Sequence, residues 1–269
     1  MVRRYHAAGF EQIKLYDYLT PDVVWAICDE AHRLGMTVTG HVPKALNGFQ
    51  GVDAGMDMIS HVNSYVARMM RGPVDESGAI DVNSETAQKA VQFLKDHHTV
   101  IDPTVARGEM ANHSKEVDVA SFEPGVRTAP FVLGVKYSEM GTNVTAAEMS
   151  TRTAGALAVI GALQKAGVSI VPGTDTGLVG YGLIHELELY VQAGMTPLEA
   201  IQSATIVSAR AMKLDRDSGT VEAGKRADLI LVNGNPLSDI HDLRKTSWVV
   251  ANGVLYDTRK LWRSVGFNP

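Results

Sequence analysis

Short apolar runs alternate with longer amphipathic stretches along most of this chain. The runs IKLY (13–16), MTVTGHV (36–42), MDMISHV (56–62), TVIDPTV (99–105) and VSIVPGTD (168–175) have the length and the β-branched content of strands. The segments between them carry helix signals. Thr20 stands as an N-cap with Pro21 at the first helical position, and 22–34 has helical periodicity ended by Gly35. A short helix is expected over 48–54. Another should run from the cap Ser84 to about His97, and a long one from the cap Thr145 to about Ala166. Residues 2–8 read as the end of an amphipathic helix with Gly9 as its C-cap. Residues 182–193, 196–204 and 208–214 read as three separate helices, 71–83 as a polar loop, and 106–144 as a polar stretch with scattered Gly and Pro that carries irregular helices.

Strands spaced by helices of about 10–15 residues imply a parallel sheet built from βαβ units. From residue 217 the pattern changes. The runs 226–234, 247–253 and 254–258 read as strands, with an Asn-Gly turn between the last two, so the tail is expected to be a small antiparallel module.

Composition narrows the class. With 269 residues, 45% of them hydrophobic, the chain can bury a core and is not a disordered polymer. A net charge of −5 lacks the basic balance that phosphate neutralisation needs, so nucleic acid is excluded as the expected partner. The lone Cys28 allows no intramolecular disulfide. No apolar run approaches the roughly 20 residues of a spanning helix, and no partner membrane is expected. The opening MVRRYHAAGFEQIKLY has no apolar signal region. It reads as starting in mid-domain, so the compartment stays open, with the cytoplasm as default.

In parallel α/β folds, ligands gather at the carboxyl ends of the strands. Lys14, His41, His61 and Asp175 each lie at or just past a different expected strand. Singly, each has an ordinary structural reading: a snorkelling lysine, hydrogen-bonded histidines, a turn-forming aspartate. Together they suggest metal-assisted hydrolysis. Imidazoles and carboxylates suit a divalent ion such as zinc, which makes a bound water acidic enough to attack near neutral pH. Tyr16 shares a strand face with Lys14 and is a substrate-contact candidate. Asn63, Tyr65 and Arg68 follow His61, and Arg68 suits a substrate carboxylate, with a solvated loop as its alternative. His185 is a further candidate on the substrate side, with packing at a helix start as the alternative.

Six stretches carry a resemblance: IKLY (13–16), GHVP (40–43), AGMDMISHV (54–62), PGTDTG (172–177), HELELYVQAGMTPLEAIQSAT (185–205) and SGTVEAGKRADLILVNGNPL (218–237). In this order they resemble the amidohydrolase superfamily, most closely its imidazolonepropionase-like branch with the prolidase-type dipeptidases. The resemblance implies a (β/α)8 barrel flanked by a small β-sandwich. The expected fold class is therefore α/β: a partial TIM-like barrel, strands four to eight, over 1–216, and the C-terminal part of the sandwich over 217–269. It also implies two metals, usually zinc, at the barrel mouth. Lys14 matches the strand-four lysine that carbon dioxide converts to a bridging carbamate. His41 and His61 match the histidines of strands five and six on the more exposed metal. Asp175 matches the strand-eight aspartate that binds the other metal and shuttles protons. The family's strand-one His-x-His does not occur in the chain, and Ser60 stands where glutamate is common.

The implied activity is hydrolysis of amide-like C–N bonds in small molecules, namely dipeptides, Xaa-Pro dipeptides or N-acyl amino acids, by a metal-activated water. Cyclic imides, lactones and phosphotriesters form the alternative substrate class. The alternative to catalysis is a truncated, non-catalytic remnant, or a fragment completed by an N-terminal partner chain. A homo-oligomer is a further expectation, since an incomplete barrel leaves open strand edges.

Overall fold

Helix boundaries fall where capping chemistry puts them. In the computed structural model, which describes residues 1–71 and 80–269, helix Pro21–Arg33 starts behind an extended Thr20. Proline costs nothing at that position, because a first-turn N–H has no helical acceptor. Asn47 and Gln50 form a capping box ahead of Gly48–Asp53. Ser84 accepts from the Ala87 N–H ahead of Glu85–Asp96. Thr145 and Glu148 exchange the same kind of bonds ahead of Ala146–Ala166. The expected polar loop over 71–83 lies mostly outside the described residues.

The chain divides into two compact units, Met1–Pro103 with Ala158–Val171, and Thr104–Leu157 with Pro172–Pro269. The first unit contains the parallel strands β1 (Gln12–Leu15), β2 (Thr37–Gly40), β3 (Met58–Ser60) and β4 (Val100–Asp102). β1 pairs with β2, placing Lys14 opposite Thr39, and β3 pairs with β4, placing Ser60 opposite Asp102. Asp57 joins the two pairs. Its N–H donates to the Val38 carbonyl at 2.9 Å, and its carboxylate accepts from the Val38 N–H at 2.7 Å. β2 and β3 are buried throughout, as parallel strands covered on both faces must be. The helices around them bury one stripe each: Val24, Cys28 and Ala31 in Pro21–Arg33, and Ala87, Ala90, Val91 and Leu94 in Glu85–Asp96. Burial pushes the Cys28 thiol up to about 12, so it behaves as a small core residue and not as a nucleophile.

Two expected strands are shorter than the apolar pattern suggests, and proline is the cause of both. The run 99–105 stops at Asp102 because Pro103 cannot donate to a ladder, and Val105 opens the helix Val105–Ala111. The run 168–175 forms no regular strand. Ile101 donates to Ser169 and accepts from Val171, giving a single Ile101–Ile170 bridge before Pro172 ends the pairing.

In the second unit, the stretch 106–144 resolves into short helices, among them Gly125–Thr128 and Phe131–Glu139. They pack round Met110, Val119, Val126, Tyr137, Leu178 and Phe267. The helices expected over 196–204 and 208–214 are one continuous element. Pro197–Gln202 passes through a π turn, Ser203–Val207, into Ser208–Ala211. No Gly or Pro lies between 198 and 211 to break it. The tail forms the expected antiparallel sheet of β5 (Leu229–Val232), β6 (Thr246–Ala251) and β7 (Val254–Asp257). Asn252 and Gly253 turn the β6–β7 hairpin with φ of +49° and +79°, the left-handed pair that a two-residue loop demands. Among the described residues, no helix is long and apolar enough to cross a membrane.

Candidate active site

The end of β2 can approach β1 only because residue 40 is glycine. Its φ is +118°, and a Cβ there would lie 2.4 Å from the Leu15 carbonyl oxygen and 3.0 Å from Lys14 Cγ. His41 follows, with its N–H donating to the Leu15 carbonyl at 3.2 Å. His61 leaves β3 with φ +65°, an uncommon conformation for a side chain of that size. Its N–H donates to the Asp102 carbonyl at 2.8 Å, which fixes the turn.

These two backbone arrangements bring the histidines together. The rings meet edge to face with centroids 4.7 Å apart, and Nε2 of His41 faces Nε2 of His61 at 2.9 Å. Asp17 Oδ1 lies 2.5 Å from His41 Nδ1. A carboxylate there holds the proton on Nδ1, which leaves the Nε2 lone pair directed at its neighbour. Two imidazole nitrogens bound tetrahedrally to zinc stand about 3.3 Å apart, so a shift of a few tenths of an ångström would admit the ion. The donor set therefore fits a divalent cation. Tyr16 stacks on His41 at 4.4 Å and 28° between planes, so the predicted substrate-contact residue adjoins the pair. Lys14 is exposed on β1, with its stem against Gly40. Among the described residues, no three His, Cys, Asp or Glu side chains converge as a metal cluster. The pair, Asp17 and the lysine of β1 are what the first unit offers.

Arg68 lies on a helix, Val66–Arg71, that the apolar pattern did not show. It is exposed and lines a cleft of about 650 Å³ together with Tyr65, Lys44 and apolar side chains. Burial, followed by the charge of Asp17, raises the Tyr65 phenol.

Asp175 and His185 belong to the second unit. Asp175 sits in the left-handed region at φ +45°, and its Oδ2 accepts from Arg107 Nε at 2.7 Å with both side chains half exposed. His185 has a setting other than the expected one. It is buried, with Nε2 2.7 Å from Glu109 and Nδ1 3.3 Å from Glu188, so neither ring nitrogen is left for a substrate. Arg244 continues the chain of charges. It donates twice to Glu188, at 2.6 and 2.7 Å, and twice to Glu123, at 3.1 and 3.5 Å. Burial opposes charge on His185, but the hydrogen bonds to Glu109 and Glu188 prevail and raise it to about 9. Glu188 likewise falls to about 2, against its burial, through His185 and Arg244. Glu186, also buried, caps the helix Val105–Ala111 by accepting from the Val105 and Ala106 N–H groups.

The sequence pattern of the Amidohydrolase family matches residues 18–255. The chain belongs to the amidohydrolase family. Relatives of this amidohydrolase include ochratoxinase from Aspergillus niger, 36% identical over 107 residues, which are 39% of this chain and 22% of that one. Imidazolonepropionase from Geobacillus sp. (strain WCH70) is 35% identical over 117 residues, 40% of this chain and 26% of that one. A crystal structure of a Xaa-Pro dipeptidase with methionine in its active site superimposes with a TM-score of 0.63 at 25% identity, over 95% of this chain and 57% of the dipeptidase. The bottromycin amidohydrolase shares the fold, with a TM-score of 0.66 at 22% identity, over the whole of this chain and 62% of that one. The chain thus spans little more than half the length of its solved relatives and matches about a quarter of its curated ones. It shares a mixed α/β fold with these TIM-barrel-type neighbours.

Asp17, Arg107 and the carboxylates around His185 were not foreseen. A signal existed for Asp17, which follows the apolar run IKLY at the strand end where ligands gather. None existed for Glu109 or Glu123, which lie in the aperiodic stretch.

Proposed function

We propose that this amidohydrolase acts on amide-like C–N bonds of dipeptides, Xaa-Pro dipeptides or N-acyl amino acids, and that His41, His61 and Lys14 hold a divalent cation, zinc. The facing Nε2 atoms of His41 and His61, with Asp17 behind His41, carry the reading. In this reading β1 to β4 and the Ile170 bridge correspond to strands four to eight of the family barrel, and β5 to β7 to the C-terminal part of its sandwich. The chain spans 57% of the dipeptidase's length, so turnover is proposed for the protein that carries these residues, and cation binding for the chain itself.

A bound divalent cation supplies polarisation of the scissile carbonyl and a lower pKa for water. Asp17 holds His41 in the tautomer that presents Nε2. Lys14, carboxylated by carbon dioxide, adds an anionic oxygen donor to the imidazoles. Tyr16 covers one face of His41 and shields it from bulk water. Asp175, whose carboxylate Arg107 orients within the second unit, is the residue proposed to carry a proton as general base and then as general acid.

The test is metal content per folded chain after gel filtration. The expected result is about one equivalent of zinc, lost in His41→Ala and in His61→Ala. Metal-free wild-type chain, or wild-type metal content in both variants, would overturn the assignment.

A further inference from the structure

The cleft beside the histidine pair has a polarity of its own. Its apolar wall is Val42, Leu46, Phe49 and Met69, and its polar lining includes Lys44, Tyr65 and Arg68. It adjoins the candidate metal residues by chain and by contact. Val42 and Lys44 follow His41, Tyr65 follows His61, and the Tyr65 ring centroid is 6.1 Å from that of His41. A volume of about 650 Å³ suits a small molecule carrying one amino-acid side chain.

The two cations of this cleft differ in what already holds them. Lys44 donates to the Tyr18 hydroxyl at 3.1 Å, lies over that ring, and is 3.9 Å from Asp17. It is anchored and half neutralised. Arg68 has no ion pair among the described residues, although a guanidinium can bind a carboxylate in two parallel hydrogen bonds. With Asp17 counted, Lys44 and Arg68 leave a local charge of +1, which matches a monoanion. A phosphate dianion would meet the Asp17 carboxylate with one positive charge too few.

We propose that this cleft is a carboxylate subsite: Arg68 binds the free carboxylate of the substrate's terminal amino acid, Lys44 supports it, and the apolar wall receives that amino acid's side chain. The inference rests on the hydrolase reading for the fate of the ligand, but not for its binding. It deepens that reading by requiring substrates with a free carboxylate next to an apolar side chain, and it disfavours cyclic imides, lactones and phosphotriesters.

The test compares N-acetyl-L-leucine with N-acetyl-L-leucinamide in ligand-observed NMR titrations of the whole chain, with zinc and with EDTA. The acid should bind at least about ten-fold more tightly than the amide, as charge-assisted hydrogen bonds imply. The preference should persist in EDTA and in His41→Ala, collapse in Arg68→Gln, and return in part in Arg68→Lys. Arg68 is exposed, so its variants should keep the wild-type near-ultraviolet circular dichroism. Equal binding of acid and amide, no binding of either, or a preference that survives Arg68→Gln would overturn the subsite. A preference that vanishes with EDTA would assign the carboxylate to the metal, overturning the subsite while leaving the hydrolase reading intact. A preference that stands in a chain binding no metal would leave the subsite and remove the hydrolase reading.

Discussion

Replacing Glu188 with Gln should unfold the second unit more easily by about 3 kcal/mol near pH 6. The Glu188 side chain is 4% exposed, and its two oxygens accept both arms of Arg244 and one ring nitrogen of His185. Its fall from 4.5 to about 2 on folding corresponds to roughly 3 kcal/mol of linked stability, in the range for breaking one partner out of a buried ion pair. His185 rises from 6.5 to about 9 through partly the same bonds, so the two contributions overlap and do not add. The signs differ. The Glu188 contribution is complete above pH 4.5 and lost as pH falls through 2. The His185 contribution is complete below pH 6.5 and lost as pH rises through 9. The network should therefore stabilise the protein most between about pH 4.5 and 6.5. Urea unfolding followed by Trp248 and Trp262 fluorescence, in a Trp25→Phe background, reads this unit. A penalty below about 1 kcal/mol at pH 6, or one that stays constant from pH 6 down to pH 2.5, would refute the reasoning.

Other perturbations test the rest of the account. Asp17→Asn should weaken zinc binding about 10- to 100-fold in a competition titration with a chromophoric chelator, because the His41 ring loses its orienting carboxylate. Unchanged affinity would show that Asp17 serves folding alone. Gly40→Ala should cost about 1–3 kcal/mol in thermal unfolding, since the methyl group meets the Leu15 carbonyl. A wild-type melting curve would contradict that contact. Leu163→Ala empties a fully buried position and should cost about 2–5 kcal/mol, with a loss below 1 kcal/mol pointing to a loosely packed core.

The sequence exposed those parts of the fold that rest on local chemistry. The caps at Thr20, Ser84 and Thr145, the Asn252-Gly253 hairpin and the apolar strands β1 to β3 are encoded within a few residues each. The strand ends at Pro103 and Pro172 were misplaced because apolar periodicity continues through a residue that cannot donate to a ladder. Irregular helices were expected in 106–144, but not their bounds, because each is short and buries few side chains, leaving no period to detect. His41 and His61 stood out by position at strand ends, and the structure brings their nitrogens together. Glu109 and Arg244 did not stand out, because they are 76 and 56 residues from His185 and Glu188, the groups they bind, and no local pattern encodes such pairs.

The central claim is that the two histidines share one cation. Zinc K-edge X-ray absorption of the loaded chain tests it most directly, since scattering from imidazole rings counts the histidines on the ion. The account predicts two imidazole ligands with the remaining scatterers oxygen, and one imidazole in His61→Ala. No bound zinc, or zinc whose imidazole count is unchanged by His61→Ala, would contradict it.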